Sequence, residues 1–440
     1  MSCNSLGDLL AKGYIKIFTG PFGSALHKHE YIEEGVRVIP AEAIFSDGLN
    51  STTFNHITLE KAQVLKRYRL QKGDIVFARR GAQACGRSAL VGDKEEGSIA
   101  GTGLIYLRVL KKDLVVPEYL HLAVSSAKSL AWLKAHAIGA TMPNLNNSVL
   151  CSLPLNLPSN EKQVEVVNGY YPIIKKIRVN TKLNQTLEQM AQAIFKSWFV
   201  DFDPVKAKMN GEQPEGMDAA TASLFPEKLV ESEFGLIPEG WNIESIKDFG
   251  DVICGKTPSK KNAAFYAGDV PFIKIPDTHG KVFITETSDT LTQAGDESQP
   301  KKRIPENSIC VSCIATVGQV FITTKPSHTN QQINSVVPYD QNSLYYLLFK
   351  FKGLNKHFHD LASGGSATLN MNTSTFSKVA LVRPTSDVLE AFHKTVGGLM
   401  EKMLANQLEN ATLSELRDTL LPKLLSGEIE LGNAEESLND

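Results

Sequence analysis

The sequence is poor in the features that mark several large protein classes. Its 440 residues include only 6 cysteines, too few for a disulfide-rich secreted scaffold, so we expect a reduced, cytoplasmic protein. No apolar run approaches the roughly 18 residues that a membrane span needs, and the N-terminus lacks a charged-then-apolar leader, so we expect no membrane contact. The net charge of −2 excludes a strongly basic chain. A hydrophobic content of 42% is nevertheless enough for two or three folded domains.

Catalytic and ligand-binding signatures are also missing. We find no Asp/Asn-Pro-Pro-Phe/Tyr methyltransferase motif and no dinucleotide-binding glycine pattern after a strand. Gly250 to Thr257 matches the phosphate-binding pattern G-x-x-x-x-G-K-[ST], but its interior is strand-like and no amphipathic helix follows, so we interpret it as a strand and a turn. Cys310 and Cys313 lack a second ligand pair. We therefore predict no catalytic residue, no cofactor and no metal.

What the sequence does contain is one plan in two copies. The segment NTKLNQTLEQMAQAIFKSW begins at Asn180, and a similar segment, NQLENATLSELRDTLLPKL, begins at Asn406, a shift of 226 positions. Upstream, the β-rich string from Val36 matches the string from Val270 at a shift of 234. A shift of this length indicates a duplicated domain and not a short-repeat solenoid. The duplication predicts a pseudo-twofold molecule that recognises a two-part target.

Strand-like runs and a helical stretch occur in both copies, and each copy ends in a long helical segment. We predict an α+β fold with two related mixed α/β domains joined by two long helices that form an antiparallel coiled coil. The expected segments are a first domain at 1–158, a first helix at 159–199, a connector at 200–238, a second domain at 239–384, a second helix at 385–426 and an acidic tail at 427–440. Pro172 is expected to kink or break the first helix, and Pro422 and Gly427 are expected to end the second after about Leu421.

Charge is distributed unevenly along these segments. Residues 1–158 carry 18 Lys and Arg against 13 Asp and Glu, whereas residues 385–440 carry 4 against 11. Basic domains beside acidic helices are a weak indication of nucleic-acid binding. Excesses of this size are also common on other soluble surfaces.

The long helices carry a heptad-like seam in which asparagine recurs. Alternating spacings of four and three residues select the positions that would face a partner helix: Ile177, Asn180, Asn184 and Leu187 in the first helix, and Met403, Asn406, Asn410 and Leu413 in the second. A polar residue in such a seam lowers stability but fixes register and orientation. The alternative is a stripe through Leu183, Leu187 and Met190, which would leave Asn180 and Asn184 on the surface.

These features resemble the specificity subunit of type I restriction-modification enzymes over essentially the whole chain. The resemblance rests on the duplicated plan, on FKSWFVDFDPVKAKMNGEQPEGMDAATASLFP after the first helix, on GLIPEGW before the second domain and on LLPKLLSGEIEL near the end. It implies two target-recognition domains that each read one half of a split DNA sequence, helices that set the gap, and no catalytic activity. The implied partners are double-stranded DNA, two modification subunits that methylate adenine with S-adenosylmethionine, and restriction subunits that use ATP.

The strongest candidate for DNA contact in the first domain is a glycine-punctuated stretch between two strand-like runs. Arg79, Arg80 and Arg87 can bind guanine edges or phosphate, and Gln83 can bind an adenine edge. The alternative is a solvated basic loop, because arginine is common on surfaces.

The second domain offers a different set of polar side chains. Its candidates are lysines after the first strand and amides before a later one, namely Lys256, Lys260, Lys261, Gln331, Gln332 and Asn334. The amides could equally bond to backbone in a buried turn. A small-residue loop recurs in both domains and adds four further candidates, Thr141, Asn144, Thr368 and Asn370. Its recurrence suits a structural connection as well as a close approach to phosphate.

Two other functions remain compatible with the sequence. The chain could be a stand-alone DNA methyltransferase or nuclease, which binding of S-adenosylmethionine by the isolated chain would favour. It could also be an adaptor whose duplicated domains bind protein, and a steep salt dependence of DNA binding would argue against that function.

Overall fold

The computed structural model describes residues 4–45, 48–81, 84–139, 143–363 and 369–429. The chain forms two compact units: unit 1 comprises Met1–Val179 and Asn410–Asp440, and unit 2 comprises Asn180–Glu409. Each long helix is therefore shared between the units, whereas the segments expected from the sequence set the helices apart from the domains. Each helix belongs partly to unit 1 and partly to unit 2, because its apolar residues pack into the cores of both. Tyr170 and Leu424 lie in a core cluster of unit 1, and Leu187 and Met403 lie in the main core of unit 2.

Unit 1 is built on a four-stranded antiparallel sheet in the order β1-β9-β6-β7 and a three-stranded sheet in the order β5-β2-β8. Its strands are β1 (Ile15–Thr19), β2 (Val36–Ile39), β3 (Ile44–Phe45), β4 (Gly48–Leu49), β5 (Asn55–Ile57), β6 (Ile75–Ala78), β7 (Ser88–Leu90), β8 (Ile99–Ala100) and β9 (Leu104–Val109). Its helices are α1 (Leu6–Ala11), α2 (Leu59–Val64), α3 (Pro117–Ser125), α4 (Ala127–His136), α5 (Asn147–Cys151) and the first part of α6 (Asn160–Phe199).

Unit 2 is built on a five-stranded sheet in the order β13-β20-β17-β18-β15 and a three-stranded sheet in the order β16-β14-β19. Its strands are β10 (Leu229–Ser232), β11 (Gly235–Pro238), β12 (Asn242–Ser245), β13 (Gly250–Cys254), β14 (Tyr266–Ile273), β15 (Phe283–Ile284), β16 (Asp289–Leu291), β17 (Ile309–Ser312), β18 (Val320–Thr323), β19 (His328–Thr329), β20 (Ile333–Pro338) and β21 (Ala380–Arg383). The helices are α7 (Asp203–Met209), α8 (Ala219–Ser223), α9 (Ile246–Phe249), α10 (Ile275–Thr278), α11 (Gln293–Glu297), α12 (Leu344–Gly353), α13 (Asn355–Ala362), α14 (Thr373–Ser377) and part of α15 (Ser386–Ser426), to which α6 adds its last turns.

The two units repeat one topology, which confirms the duplicated mixed α/β fold. In the small sheets, β2 pairs in parallel with β8 as β14 does with β19. Before α5 and α14, Asn146 and Asn372 occupy the same cap position, and their side chains accept hydrogen bonds from Val149 and Thr375 N–H at 2.8 and 2.9 Å. Strands β6 and β17 are buried along their whole length, which explains why their sequences are continuous apolar or small runs instead of alternating ones.

The long helices pass through the prolines that were expected to interrupt them. Helix α6 continues through Pro172, so this proline does not break it, and α15 passes Pro422 and ends at Ser426, the last residue of the segment expected for the second helix. Each proline removes one helical hydrogen bond, but both lie on the exposed side, where water can bond the freed carbonyl. Gly427, with a φ of 77°, terminates α15. Within the described residues, no helix is long and apolar enough to cross a membrane.

The connector at 200–238 is an integral part of unit 2. It contains α7, α8 and the hairpin of β10 and β11. Val205 and Phe225 from this segment are buried in the main core of unit 2, where the ring of Phe225 meets Trp198 edge-on at 5.2 Å. Its scattered aromatic residues therefore anchor the segment to the domain.

Candidate DNA interface

One edge of the central sheet gathers the candidate loops in each unit. In unit 1, the register places the ends of β1 and β6 beside the starts of β9 and β7. In unit 2, the ends of β13 and β17 lie beside the starts of β20 and β18 in the same way. The loops that leave these strand ends therefore meet at one edge, although they are far apart in the sequence.

Arg79 in unit 1 is fixed by the small-residue loop that follows α4. Its Nε donates hydrogen bonds to Asn144 Oδ1 and to the Leu145 carbonyl, both at 3.1 Å. Asn144 in turn exchanges two backbone hydrogen bonds of 2.9 Å with Ile138. Asn144 thus orients an arginine, and the two candidate loops of unit 1 form one surface.

The other arginines of this loop are available to a ligand. Arg80 is exposed and Arg87 is half-buried, and neither side chain has a hydrogen bond or ion pair within the described part of the chain. Burial of the intervening Cys85 raises the pKa of its thiol, so this residue is a neutral core group. Gln83 and Thr141 fall outside the described residues.

The equivalent loops of unit 2 keep the backbone arrangement but change the side chains. Met371 N–H donates to the Cys313 carbonyl at 2.8 Å, as Leu145 N–H donates to the Arg79 carbonyl at 2.9 Å. Asn370 occupies the place of Asn144 and is exposed. Thr368 lies outside the described residues.

A glutamine and a histidine at this edge were not identified from the sequence. The Gln319 carbonyl accepts from Ser312 N–H at 3.0 Å and the N–H of the preceding glycine donates to the Ser312 carbonyl at 2.9 Å. The Arg87 carbonyl and the N–H of its preceding glycine bond to Ala78 in the same way, at 2.9 and 3.0 Å, so Gln319 replaces Arg87. Its Nε2 donates to Nδ1 of the exposed His279 at 2.6 Å, and its Oε1 accepts from Thr278. A shift of 232 positions, from Arg87 to Gln319, would have revealed the correspondence.

The lysine loop of unit 2 follows directly from strand β13. The residues that match the phosphate-binding pattern, Gly250–Thr257, form strand β13 and the turn after it, as expected. A Cβ on Gly255 would lie 2.2 Å from the carbonyl oxygen of Asn330, so glycine is needed for close approach of two chain segments. Lys256, Lys260 and Lys261 are all exposed.

The three candidate amides of unit 2 have different environments. Gln331 is exposed, and its Oε1 accepts from Thr257 at 2.7 Å. Gln332 is half-buried and its Oε1 accepts from Asn330 at 2.9 Å. Asn334 is only 3% exposed, and its Oδ1 accepts from Thr373 at 2.8 Å. Asn334 was a candidate for DNA contact, but it is buried between two strands and its amide bonds within the domain.

Asparagines of the seam connect α6 and α15 within each unit. In unit 2, Asn406 Nδ2 donates to Asn184 Oδ1 at 2.8 Å, and Asn180 Nδ2 donates to Glu409 Oε2 at 2.8 Å. In unit 1, Asn410 Nδ2 lies 3.4 Å from the Ile177 carbonyl.

The other seam positions are shielded as well. Leu187 and Met403 are buried, and Ile177 and Leu413 are half-buried. The alternative stripe is more open, with Leu183 at 37% and Met190 at 49% exposure. In unit 2 the contacting partners run in opposite directions along the two helices, so the helices are antiparallel there.

Cys310 and Cys313 are enclosed in the core of unit 2. Burial raises the pKa of both thiols to about 12, so they stay protonated near neutral pH. The described residues contain no group of three or more His, Cys, Asp or Glu that could hold a metal ion.

Known proteins share both the sequence and the fold. The family model described as "Type I restriction modification DNA specificity domain" matches residues 28–189 and 238–396. The chain is 43% identical over 402 residues to the HindI specificity subunit of Haemophilus influenzae, covering 82% of this chain and 87% of that protein. It is 27% identical to the MjaIX specificity subunit of Methanocaldococcus jannaschii, covering 74% and 72%. The crystal structure of a type I S subunit from M. genitalium has the same fold, with a TM-score of 0.61 at 14% identity over 96% of this chain and 95% of that one.

Because the family model matches the chain twice and covers most of it, this protein carries two DNA specificity domains. The chain belongs to the family of type I restriction-modification specificity subunits, and it acts in DNA target recognition within a restriction-modification complex. The resemblance noted in the sequence is thereby confirmed.

Proposed function

We propose that each unit reads one half of a split double-stranded target through its loop-bearing sheet edge. The observation that carries this proposal is the repeated strand register, which brings different polar loops to the same edge of two related sheets. A shared scaffold with different side chains is suited to reading two different half-sites.

In unit 1, the arginines have different roles in binding bases and phosphate. The two hydrogen bonds of Arg79 Nε hold its guanidinium in one orientation, which suits bidentate bonding to guanine O6 and N7. Arg80 is exposed without such restraint and suits a phosphate contact. Arg87 extends the same surface, and Gln83 remains a candidate for contact with an adenine edge.

In unit 2, lysine charge replaces the arginines. Lys256, Lys260 and Lys261 bind phosphate, because exposed ammonium groups contribute charge without a fixed geometry. Gln331 and Gln332 are the candidates for adenine recognition. The two units thus read their half-sites by different chemistry.

The long helices set the gap between the half-sites, and the asparagine contacts hold their register. Two modification subunits dock on the specificity subunit, because the duplicated plan supplies two equivalent surfaces, and restriction subunits complete the complex. Methyl transfer and cleavage belong to those partners, and the assembly acts on DNA in the cytoplasm. S-adenosylmethionine and ATP are accordingly ligands of the partners.

The test exchanges one unit's reading domain and maps adenine methylation genome-wide. Replacing residues 1–158 by the same domain of another family member should change one half of the target and preserve the gap. The matched exchange of residues 239–384 should change only the other half. If either exchange altered both halves, or neither half, the proposal of independent reading would be wrong.

A further inference from the structure

A buried polar network in unit 2 contacts the backbone of the lysine loop, residues 255–261. His328 is 0% exposed, and its Nε2 lies 2.7 Å from Asp296 Oδ1. Asp296 Oδ2 accepts from Arg303 at 2.9 Å. Gln299 Nε2 lies 3.3 Å from His328 Nδ1 and donates to the backbone carbonyl of Lys256 at 2.8 Å. The network therefore ends on the backbone of a residue in the proposed DNA-binding loop.

The fold does not require this network, because unit 1 has apolar residues in its place. Helices α2 and α11 both start after a threonine cap, and their alignment places Ala62 and Leu65 on Asp296 and Gln299. The parallel strand pairs place Ile99 on His328. Ala62, Leu65 and Ile99 are all buried in one apolar cluster of unit 1. Burying polar groups instead is energetically costly unless each is paired, so unit 2 retains the network for another reason.

The loops in front of these two clusters are held by different means. Gly20 and Gly255 are equivalent, because each donates its N–H to the carbonyl of the first residue of the neighbouring strand. These acceptors are the carbonyls of Leu104 in β9, at 2.9 Å, and Ile333 in β20, at 3.0 Å. The next residue in unit 1 is Pro21, whose ring fixes φ. The next residue in unit 2 is Lys256, whose N–H donates to the Thr329 carbonyl at 2.9 Å while its carbonyl accepts from Gln299. Hydrogen bonds in unit 2 thus restrain a position that proline restrains in unit 1.

We propose that Gln299, oriented by His328 and Asp296, is a positioning residue for sequence recognition by the loop at 255–261. The inference rests on the proposed function of that loop. By fixing the Lys256 carbonyl, Gln299 fixes the peptide that leads to Thr257, whose hydroxyl bonds to Gln331. Without the amide donor, the loop samples other conformations, and its contacts to DNA no longer share one geometry.

The test uses the full chain in complex with its modification subunits. Gln299→Leu removes the donor, and the triple variant Asp296→Ala, Gln299→Leu, His328→Ile installs the residues that unit 1 folds with. Ser308→Ala is the matched control, because it removes the 2.8 Å hydrogen bond that the buried Ser308 donates to the Pro305 carbonyl, at the start of β17 and away from the lysine loop. Binding is measured to the mapped target and to duplexes with either half-site scrambled, and thermal unfolding is measured in parallel.

We expect both network variants to lose about tenfold or more of the selectivity for the half-site read by unit 2, which is the size of one base-reading contact. Selectivity for the other half and the behaviour of Ser308→Ala should match the wild type.

Two further substitutions separate the possible failures: Gln331→Ala should reduce selectivity for the half-site read by unit 2, and Lys256→Ala should weaken binding to every duplex alike. If both do so while the network variants keep their selectivity, the positioning role is refuted and the proposed function stands. If neither selectivity nor affinity changes, the loop does not contact DNA and both proposals about it fail. An equal loss in Ser308→Ala would show a general stability effect and would also overturn the positioning role.

Discussion

The asparagine pair of the helix seam should respond asymmetrically to substitution. Asn406 is 1% exposed, and its Nδ2 donates to Asn184 Oδ1 at 2.8 Å. Its own Oδ1 is buried without a hydrogen-bond partner among the described residues. Asn184 is half-buried, and its Nδ2 donates to the Met403 carbonyl at 3.0 Å. One amide therefore depends on its partner for its pairing, while the other can also reach water.

The magnitudes follow from this arrangement. Asn184→Leu leaves the whole amide of Asn406 buried and unpaired, which should lower the free energy of unfolding by roughly 1–3 kcal/mol. Asn406→Leu removes an amide that is only half paired, so its cost should stay below about 1 kcal/mol. The double variant replaces the pair by an apolar contact and should be at least about as stable as the wild type. The coupling energy between the two sites should then be about 1–3 kcal/mol.

Urea unfolding monitored by tryptophan fluorescence measures these differences in unit 2, where Trp198 and Trp241 are buried in the core. Gln185→Leu, an exposed site on the same turn of α6, is the control and should change stability by less than about 0.5 kcal/mol. Equal losses in the two single variants, or additive effects in the double variant, would refute the assignment of the buried amide.

Three further outcomes are expected. Arg80→Ala should weaken binding to all DNA sequences alike and reduce the slope of log affinity against log salt concentration by about one. Arg79→Ala should instead lower specificity at one base position, at a cost of about 1–3 kcal/mol. Filter binding across salt concentrations separates the two results. Inserting four residues after Gln192 adds roughly 6 Å of helix, so methylation of sites with stepwise longer gaps should shift to a gap one or two base pairs longer, and an unchanged gap preference in an active variant would show that the helices are not the ruler. Gly255→Ala should destabilise unit 2 by about 1–3 kcal/mol in chemical unfolding, because its Cβ would lie 2.2 Å from the Asn330 carbonyl, and wild-type stability would contradict that close approach.

The duplicated architecture could be predicted because periodic spacing and turn residues are local properties that both copies share. The environments of single polar residues could not. The partner of Arg79 lies 65 positions away at Asn144, and nothing in the spacing of either loop indicates that pairing. The burial of Asn334 depends on two neighbouring strands that its own segment does not reveal.

Loop length and solvent explain the other differences. The loop between β6 and β7 spans residues 79–87, whereas its counterpart between β17 and β18 spans 313–319 and is two residues shorter. The shift of 234 that holds before these loops therefore does not align Arg87 with Gln319, which needs a shift of 232. Pro172 was expected to kink or break α6, because proline removes a helical hydrogen bond. Its position on the exposed face lets water replace that bond, and exposure of one turn cannot be read from a proline alone.

The division of the long helices has a consequence for the order of folding during synthesis. Unit 2 is continuous in sequence, from Asn180 to Glu409, so every residue it needs has been synthesised once position 409 has been translated. Unit 1 begins the chain yet also requires the segment that starts at Asn410, where Leu424 supplies part of its core. The domain made first is therefore completed last, and a chain that stops within α15 after Glu409 contains all of the second unit but only part of the first.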